Sequence, residues 1–333
     1  FTIGGQSRTR AVAIDAVSGL PTAWNPAPSG AVRTLAVSGT TVYVGGSFGS
    51  MNAQPRLSLA SIDLASGVVS GWNPGANGTV MALATDGNTI YAGGLFVFAG
   101  GQPRNRIAAI DAVSGIPTAW NPNANNTVNA IVVDGSVVYA GGSFASIGGQ
   151  TRDRLAALDI TSGAATAWNP VADNTVNALA VSGSTVYAGG VFTNVGGQAR
   201  FRIAAIDAAT GLVRPWNPDA DNAVNALAVS GSVVYAGGSF TVMGGQPRSR
   251  LAAIDTTSGL KPYWDPGADN TVNTLVTDGL VLRFLLQRRL TEDRSTAVLA
   301  LTRQGSLQLA QAMDVDANTI PYSTRSTCRR STM

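Results

Sequence analysis

A chain of 333 residues with 45% hydrophobic and only 12% charged side chains carries enough apolar material for a substantial buried core, which excludes a disordered polypeptide. The sequence pI is near 9.3, but the basicity is local: residues 1–279 hold 14 basic against 15 acidic side chains (net −1), and residues 280–333 hold 8 against 4 (net +4). The main body therefore lacks a polyanion footprint, and no nucleic-acid partner is expected.

The chain has no histidine, which removes Ser-His-Asp triads, His-ligated zinc and the commonest general base at neutral pH. One cysteine, Cys328, allows neither an intrachain disulfide nor a thiolate metal cluster. No apolar run reaches the roughly 18 residues of a membrane span. The chain starts at Phe1 inside a repeat and without a signal-like segment, so it is expected to be a fragment of something longer.

From the N-terminus, Phe1 to Pro26 supplies the third and fourth strands of a repeating unit. Five full units follow from Ala31 to about Gly267, and residues 269–279 open another with its first strand. The step is 48 residues: Tyr43, Tyr91, Tyr139, Tyr187 and Tyr235 obey it, as do Trp24, Trp72, Trp120, Trp168, Trp216 and Trp264. Within a unit, VNALAVSGSTVYAGGVF (176–192) predicts two β-branched strands around the turn SGS, NVGGQARF a loop, RIAAIDAATG a third strand and LVRPWNPDADN a fourth. Four strands in a period of this length predict an all-β fold, a β-propeller of four-stranded blades; a parallel β-helix is the alternative architecture. Pairing the two half-blades closes a ring of six blades, the favoured number, with seven as the alternative, and removes two aggregation-prone edges. The Gly pairs such as Gly189–Gly190 are expected where backbones crowd or bulge.

After Gly279 the pattern breaks, which makes 280–333 a second, divergent basic region. It reads as a degenerate closing blade, a disordered tail or a frame-shifted translation, and LVLRFLLQRRL within it could form a basic amphipathic helix.

The unit V-x-A-L-A-V-x-G-x-x-V-Y-A-G-G-x-F-x-x-x-G-G-Q-x-R-x-R-x-A-A-I-D-x-x-x-G-x-x-x-x-W-N-P resembles the delta-60 repeat of bacterial secreted and cell-surface proteins, over residues 1–279. That resemblance implies a modular propeller outside the cytoplasm. AIDAVSGLPTAW (Ala13 to Trp24) is similar to the tryptophan-docking motif of quinoprotein dehydrogenase propellers and their non-enzymatic relatives, with one extra residue between Gly19 and Trp24. The likeness implies that the six tryptophans pack between blades; it does not bring quinone chemistry, because one cysteine excludes a vicinal pair.

Three site readings follow. The GGQxRxR segments place Arg104, Arg106, Arg152, Arg154, Arg200, Arg202, Arg248 and Arg250 at equal radius, as a multivalent ring for anions or a partner, or else as strand pins paired with the recurrent Asp of AAID. The Asn/Asp loops, such as NPVADNTVNA, suggest Asx turns, with calcium as the alternative. No catalytic residue, metal site or cofactor is expected: residues 1–279 contain no Glu, and the aspartates recur rather than cluster in one unit. The expected function is a monomeric, non-enzymatic binding or scaffold module for a protein or glycan. The alternative is a piece of a carbohydrate-active or redox enzyme whose site lies outside this chain.

Overall fold

β-Branched and small apolar residues alternate in VNALAVS and TVYAGG, a pattern that suits a pleated surface buried on both faces. The computed structural model describes residues 2–3, 5–15, 18–260, 264, 266–277, 282–286, 295–301 and 307–313, and among them it is all strand and turn, with no helix. Five antiparallel sheets repeat one plan. In the unit from Val176, an inner strand Val176–Ser182 pairs with Thr185–Gly190, which pairs in turn with Ile203–Asp207. The corresponding inner strands are Ala31–Ser38, Val80–Thr85, Val128–Asp134 and Val224–Ser230, and each packs beside the next.

Within the unit, two predicted elements differ from what forms. The fourth strand shrinks to a single bridge, Ile206 to Val213 in this unit, because the segment runs into Pro215 and Pro218, which cannot donate to a ladder. Among the described residues, only the unit from Val224 adds a paired outer strand, Gly259–Leu260. The expected loop NVGGQARF is instead a tight hairpin, Asn194–Val195 with Gln198–Ala199, turning on Gly196 and Gly197, both at positive φ.

The core lies between blades. Tyr139, Leu155, Ala157 and Trp168 of one unit join Val176, Phe192 and Ile206 of the next in one buried cluster. Burying Phe192 completely contributes about 1.5–3 kcal/mol, and the same phenylalanine recurs as Phe96, Phe144 and Phe240.

At the seam, Val272–Thr277 pairs with Leu282–Leu286, so residues 282–286 of the expected basic helix are a strand. The rest of that helix, residues 280–281 and 287–290, lies outside the described residues. The N-terminal strand Ala11–Asp15 does not pair with this hairpin. It runs parallel to Ser295–Leu301, which is antiparallel to Leu307–Met313. An open strand edge pairs with whatever extended segment reaches it, and parallel pairing here contrasts with the antiparallel order of all five complete units.

The third strand ends in a turn that each aspartate organises. Asp159 Oδ1 accepts from the Ser162 N–H (2.7 Å), the Ser162 hydroxyl (2.7 Å) and the Thr161 N–H (3.1 Å). The Ser162 N–H and then its hydroxyl hold the Asp159 carboxyl below its ordinary range; Asp111 and Asp207 are lowered in the same order by Ser114 and Thr210, and Asp63 chiefly by the Ser66 hydroxyl. A lowered folded-state pKa means that the unfolded chain takes up protons first, so this stabilisation is complete above about pH 4 and is lost as pH falls through the lowered values. Thermal melts of the wild type should accordingly be flat above that point and fall below it. Asp159→Asn should melt lower at neutral pH and show a shallower acid slope; an unchanged slope would show that the turn carboxylates do not couple to folding.

Candidate functional site

The inner and middle strands meet at a β-bulge in every unit. Val176 faces Gly190 and Ala178 faces Gly189, leaving Asn177 as the extra residue. The same skip falls on Arg33, Met81, Asn129, Asn225 and Asn273. A bulge re-aims its side chain, and these six residues, one per inner strand, line a central channel of about 570 Å³. Below them the wall turns apolar, through Leu83, Ile131, Leu179, Leu227 and Leu275.

The asparagines form an arc. Asn177 Nδ2 donates to Asn225 Oδ1 (3.2 Å), Asn225 Nδ2 donates to Asn273 Oδ1 (3.3 Å), and Asn129 Nδ2 donates to the Val176 carbonyl (3.3 Å). Arg33 and Met81 interrupt the arc, and among the described residues no acidic side chain lines the channel. The channel mouth thus combines amides with one guanidinium, a set that suits hydroxyl and carboxylate groups. Sequence reading treated the repeats as uniform and missed this site. The available signal was a column beginning each inner strand, just after a constant valine, in which Arg33 and Met81 precede four asparagines.

The Asx loops enter at the same end of the strands. Asp173 Oδ1 accepts from the Thr193 N–H (2.8 Å) and Asp173 Oδ2 bonds the Thr193 hydroxyl (2.5 Å), so the loop before one inner strand caps the hairpin following its partner. Asp221 does the same for Thr241, and Asn125 and Asn77 for the equivalent backbone amides. Partial burial acts against ionisation of Asp173, but the bonds from Thr193 outweigh it and leave its carboxyl lowered. Among the described residues no group of three His, Cys, Asp or Glu could hold a metal ion.

The arginines sit in the hairpin that this face presents, in two distinct roles. Arg104, Arg200 and Arg248 are buried. Arg200 Nη1 donates to the Ala199 carbonyl (2.7 Å), and Nη2 to Gln198 Oε1 (3.0 Å) and the Arg214 carbonyl (2.8 Å). Arg104 repeats this pattern on Pro103, Gln102 and Thr118, and Arg152 on the Thr151 and Thr166 carbonyls. The acceptors are carbonyls and a glutamine, not the AAID aspartate, which the turn already occupies. Asp207 adds an arginine in a close ion pair, Arg214 at 2.8 Å, from outside the motif.

Arg106, Arg154, Arg202 and Arg250 are half-buried and lie in the left-handed region, with φ of 64°, 64°, 67° and 64°. Each spends one Nη on a carbonyl, for example Arg202 on Phe192 (3.1 Å) and Arg250 on Ala268 (2.8 Å). Non-glycine residues in this region cost roughly 1–2 kcal/mol and persist where surrounding bonds over-determine them. The Phe192 carbonyl also takes the Arg202 N–H (2.9 Å), and the Gly190 N–H donates to the Arg202 carbonyl (2.9 Å).

Because a lysine cannot reproduce the planar fork, Arg200→Lys is expected to cost about 2 kcal/mol and Arg200→Ala about 3 kcal/mol. Chemical denaturation checks this; equal stability of Arg200→Lys and wild type would show that one bond suffices.

The tryptophans lie elsewhere, between blades. Trp168 is 3% exposed; its Nε1 donates to the Asp207 carbonyl of the next unit (2.9 Å), and its ring meets Tyr139 edge-on at 5.3 Å. Trp24, Trp72, Trp120 and Trp216 make the same bond 39 residues ahead. Trp264 meets Tyr235 edge-on at 5.4 Å.

Several solved structures share this fold. The WD40 β-propeller domain of Doa1 matches with a TM-score of 0.55 at 12% identity, over 85% of this chain and 90% of its own. A chain of the mitotic checkpoint complex matches at 0.56 and 14%, over 86% and 77%, and the computationally designed protein Ika8 at 0.54 and 13%, over 91% and 99%. No curated protein sequence matches. A family model described as outer membrane protein assembly factor BamB matches residues 72–265, more than half of the chain. With its repeated sheets and its tryptophans bonded across blades, the chain belongs to this PQQ-like family of β-propellers.

Proposed function

We propose that this propeller is a non-enzymatic binding or scaffold module, working outside the cytoplasm or at the cell surface, and that it binds through the face carrying the Asx loops, the arginine hairpins and the channel mouth. The observation that carries this reading is how the polar groups are used. The recurrent carboxylates cap turns and hairpins, the buried arginines hold carbonyls, and the channel mouth is lined by an amide arc interrupted by Arg33 and Met81. Such a set binds well and offers no acid–base pair.

The family description, an assembly factor of the outer membrane, supports a scaffold role at the envelope. Likeness of the 48-residue unit to the delta-60 repeat supports secretion or surface display. In this reading the ring works as a monomer, needs no cofactor and takes a protein or glycan partner. The half-buried Arg106, Arg154, Arg202 and Arg250 lie around the contact face, where rim charges steer association more than they add affinity.

The test is interferometry against immobilised polygalacturonate, alginate, heparin and dextran, with reducing ends assayed in parallel. Reversible binding to at least one acidic polymer without release of reducing ends supports the proposal. Turnover would favour a carbohydrate-active enzyme instead, and silence on every polymer would remove glycan from the proposed partners.

A further inference from the structure

We infer that the seam of the ring is a docking site for an extended segment of a separate polypeptide carrying the repeat's middle-strand pattern, a β-branched residue followed by Tyr-Ala-Gly-Gly, and that Ser295–Leu301 covers this site until such a strand displaces it. The site does not depend on the channel or on the binding face described above.

In each complete unit the third strand pairs antiparallel with a middle strand in one register. Gly45 opposes Leu59, Val44 Ala60, Tyr43 Ser61, Val42 Ile62 and Thr41 Asp63, and the same five steps recur in the other four units. One period of 48 residues earlier stands Ala11–Asp15, the third strand of the seam. Its outer groups are used as in the other units: the Asp15 N–H donates to the Leu20 carbonyl (2.9 Å), and the Ala13 carbonyl accepts from the Thr22 N–H (2.8 Å). Strand alternation therefore turns the main-chain groups of Val12 and Ile14 to the other edge, where Ser295–Leu301 lies in the parallel sense. A parallel pair is slightly the weaker per residue.

The joint beside that edge is also one tyrosine short. Tyr43, Tyr91, Tyr139, Tyr187 and Tyr235 each meet a tryptophan edge-on, and the Tyr43 hydroxyl donates to the Ala112 carbonyl (2.8 Å). One period back from Trp72 and Ala112, the matching groups are Trp24 and the Leu64 carbonyl. Trp24 is buried with Ala11, Ala13 and Val32 in a cluster against which Leu64 packs, and among the described residues no tyrosine joins it.

Glycine completes the pattern. A Cβ on Gly45 would stand 2.6 Å from Val80 Cγ1, and Val32 is the valine one period back. A strand entering the seam must therefore bring glycine to Val32 and tyrosine to Trp24. Leu282–Leu286 takes the middle-strand place beside Val272–Thr277, bulge included, but its sequence has Arg283, Leu285 and Leu286 where the step of 48 calls for Tyr, Gly and Gly. The five middle strands that do match are each paired on both edges within their own units, which points to a separate polypeptide as the donor.

Anisotropy of a dye-labelled STVYAGGVF peptide, the sequence of residues 184–192, titrated with the full chain, tests this. Saturable binding is expected, weakened at least about tenfold when the peptide's tyrosine becomes alanine, and likewise when its two glycines become alanines. Hydrogen exchange should show 295–301 losing protection on peptide addition while 11–15 keeps it. In the chain, Ile14→Pro removes a donor from the edge and should weaken the peptide about tenfold. Should Ile14→Pro fail to fold, Leu299→Pro serves instead: it weakens the covering strand opposite Ala13 and should tighten the peptide about fivefold. Equal binding of a scrambled peptide, no binding by either wild type or Leu299→Pro, or continued protection of 295–301 in the complex would overturn the site. A dimer of the chain alone that the peptide dissolves would overturn the separate donor and assign the strand to a second copy.

Discussion

Trp168→Ala is expected to lose about 3–5 kcal/mol of stability, the range for emptying a buried aromatic site. The ring is 3% exposed, contacts Tyr139 edge-on, and lies across Gly211 of the next unit, where an added Cβ would stand 3.3 Å from Trp168 Cδ1. Removing it opens one blade-to-blade joint without touching either sheet's ladder. Trp168→Phe should cost much less, about 1–2 kcal/mol, because the Asp207 carbonyl keeps its second donor, the Gly211 N–H at 3.0 Å. Denaturant unfolding of both variants gives the comparison. A loss below about 1 kcal/mol for the alanine variant would mean that blades are not joined through this ring.

The second large effect belongs to glycine. A Cβ on Gly190 would stand 2.2 Å from the Thr175 carbonyl oxygen and 3.0 Å from Val176 Cα, both backbone atoms of the segment leading into the inner strand. No rotamer relieves a clash with main chain, so Gly190→Ala must push the start of that strand away. The expected cost is about 3 kcal/mol, at the upper end for overpacking. Because Asn177 is the bulge residue between Val176 and Ala178, the same change should disturb its bond to Asn225 and with it the amide arc. Gly189→Ala strikes something different, Val224 Cγ1 of the neighbouring unit at 2.7 Å, and should destabilise while leaving the Asn177 bulge in place. Similar stability for Gly190→Ala and wild type, by thermal melt, would show that the bulge is loose.

The glycine pairs show how far the residue pattern could be read. Their recurrence called for close backbone approach, and that is what forms. The direction was not legible: Gly189 makes room for the next blade's valine, and Gly190 for its own inner strand, rather than for crowding at the channel. The propeller and its period followed from the spacing of tyrosine and tryptophan, since identical spacing demands identical units. The fourth strand was over-read because apolar residues around Trp216 resemble a strand until the prolines are counted against its ladder.

Partner choice was the least legible. An Arg and an Asp that both recur invite an ion pair, yet Asp159 is satisfied three residues away by Ser162, and Arg200 by carbonyls 1 and 14 residues distant. Local turns win because their groups are already held close in the chain, so little further entropy is lost in making the bonds. The channel site was hidden for a related reason. Asn177, Asn225 and Asn273 are 48 residues apart in sequence and become neighbours only when the inner strands stand side by side around the axis.

The central claim is that the molecule binds through one face. Hydrogen exchange of the intact chain with and without polygalacturonate tests it most directly. Protection should fall on the Asx loops and arginine hairpins, such as residues 171–177 and 193–202, and on the strand starts at Asn225 and Asn273, while the opposite turns at 183–184 and 207–212 exchange unchanged. Protection centred on those opposite turns, or spread evenly over both ends of the ring, would contradict the account.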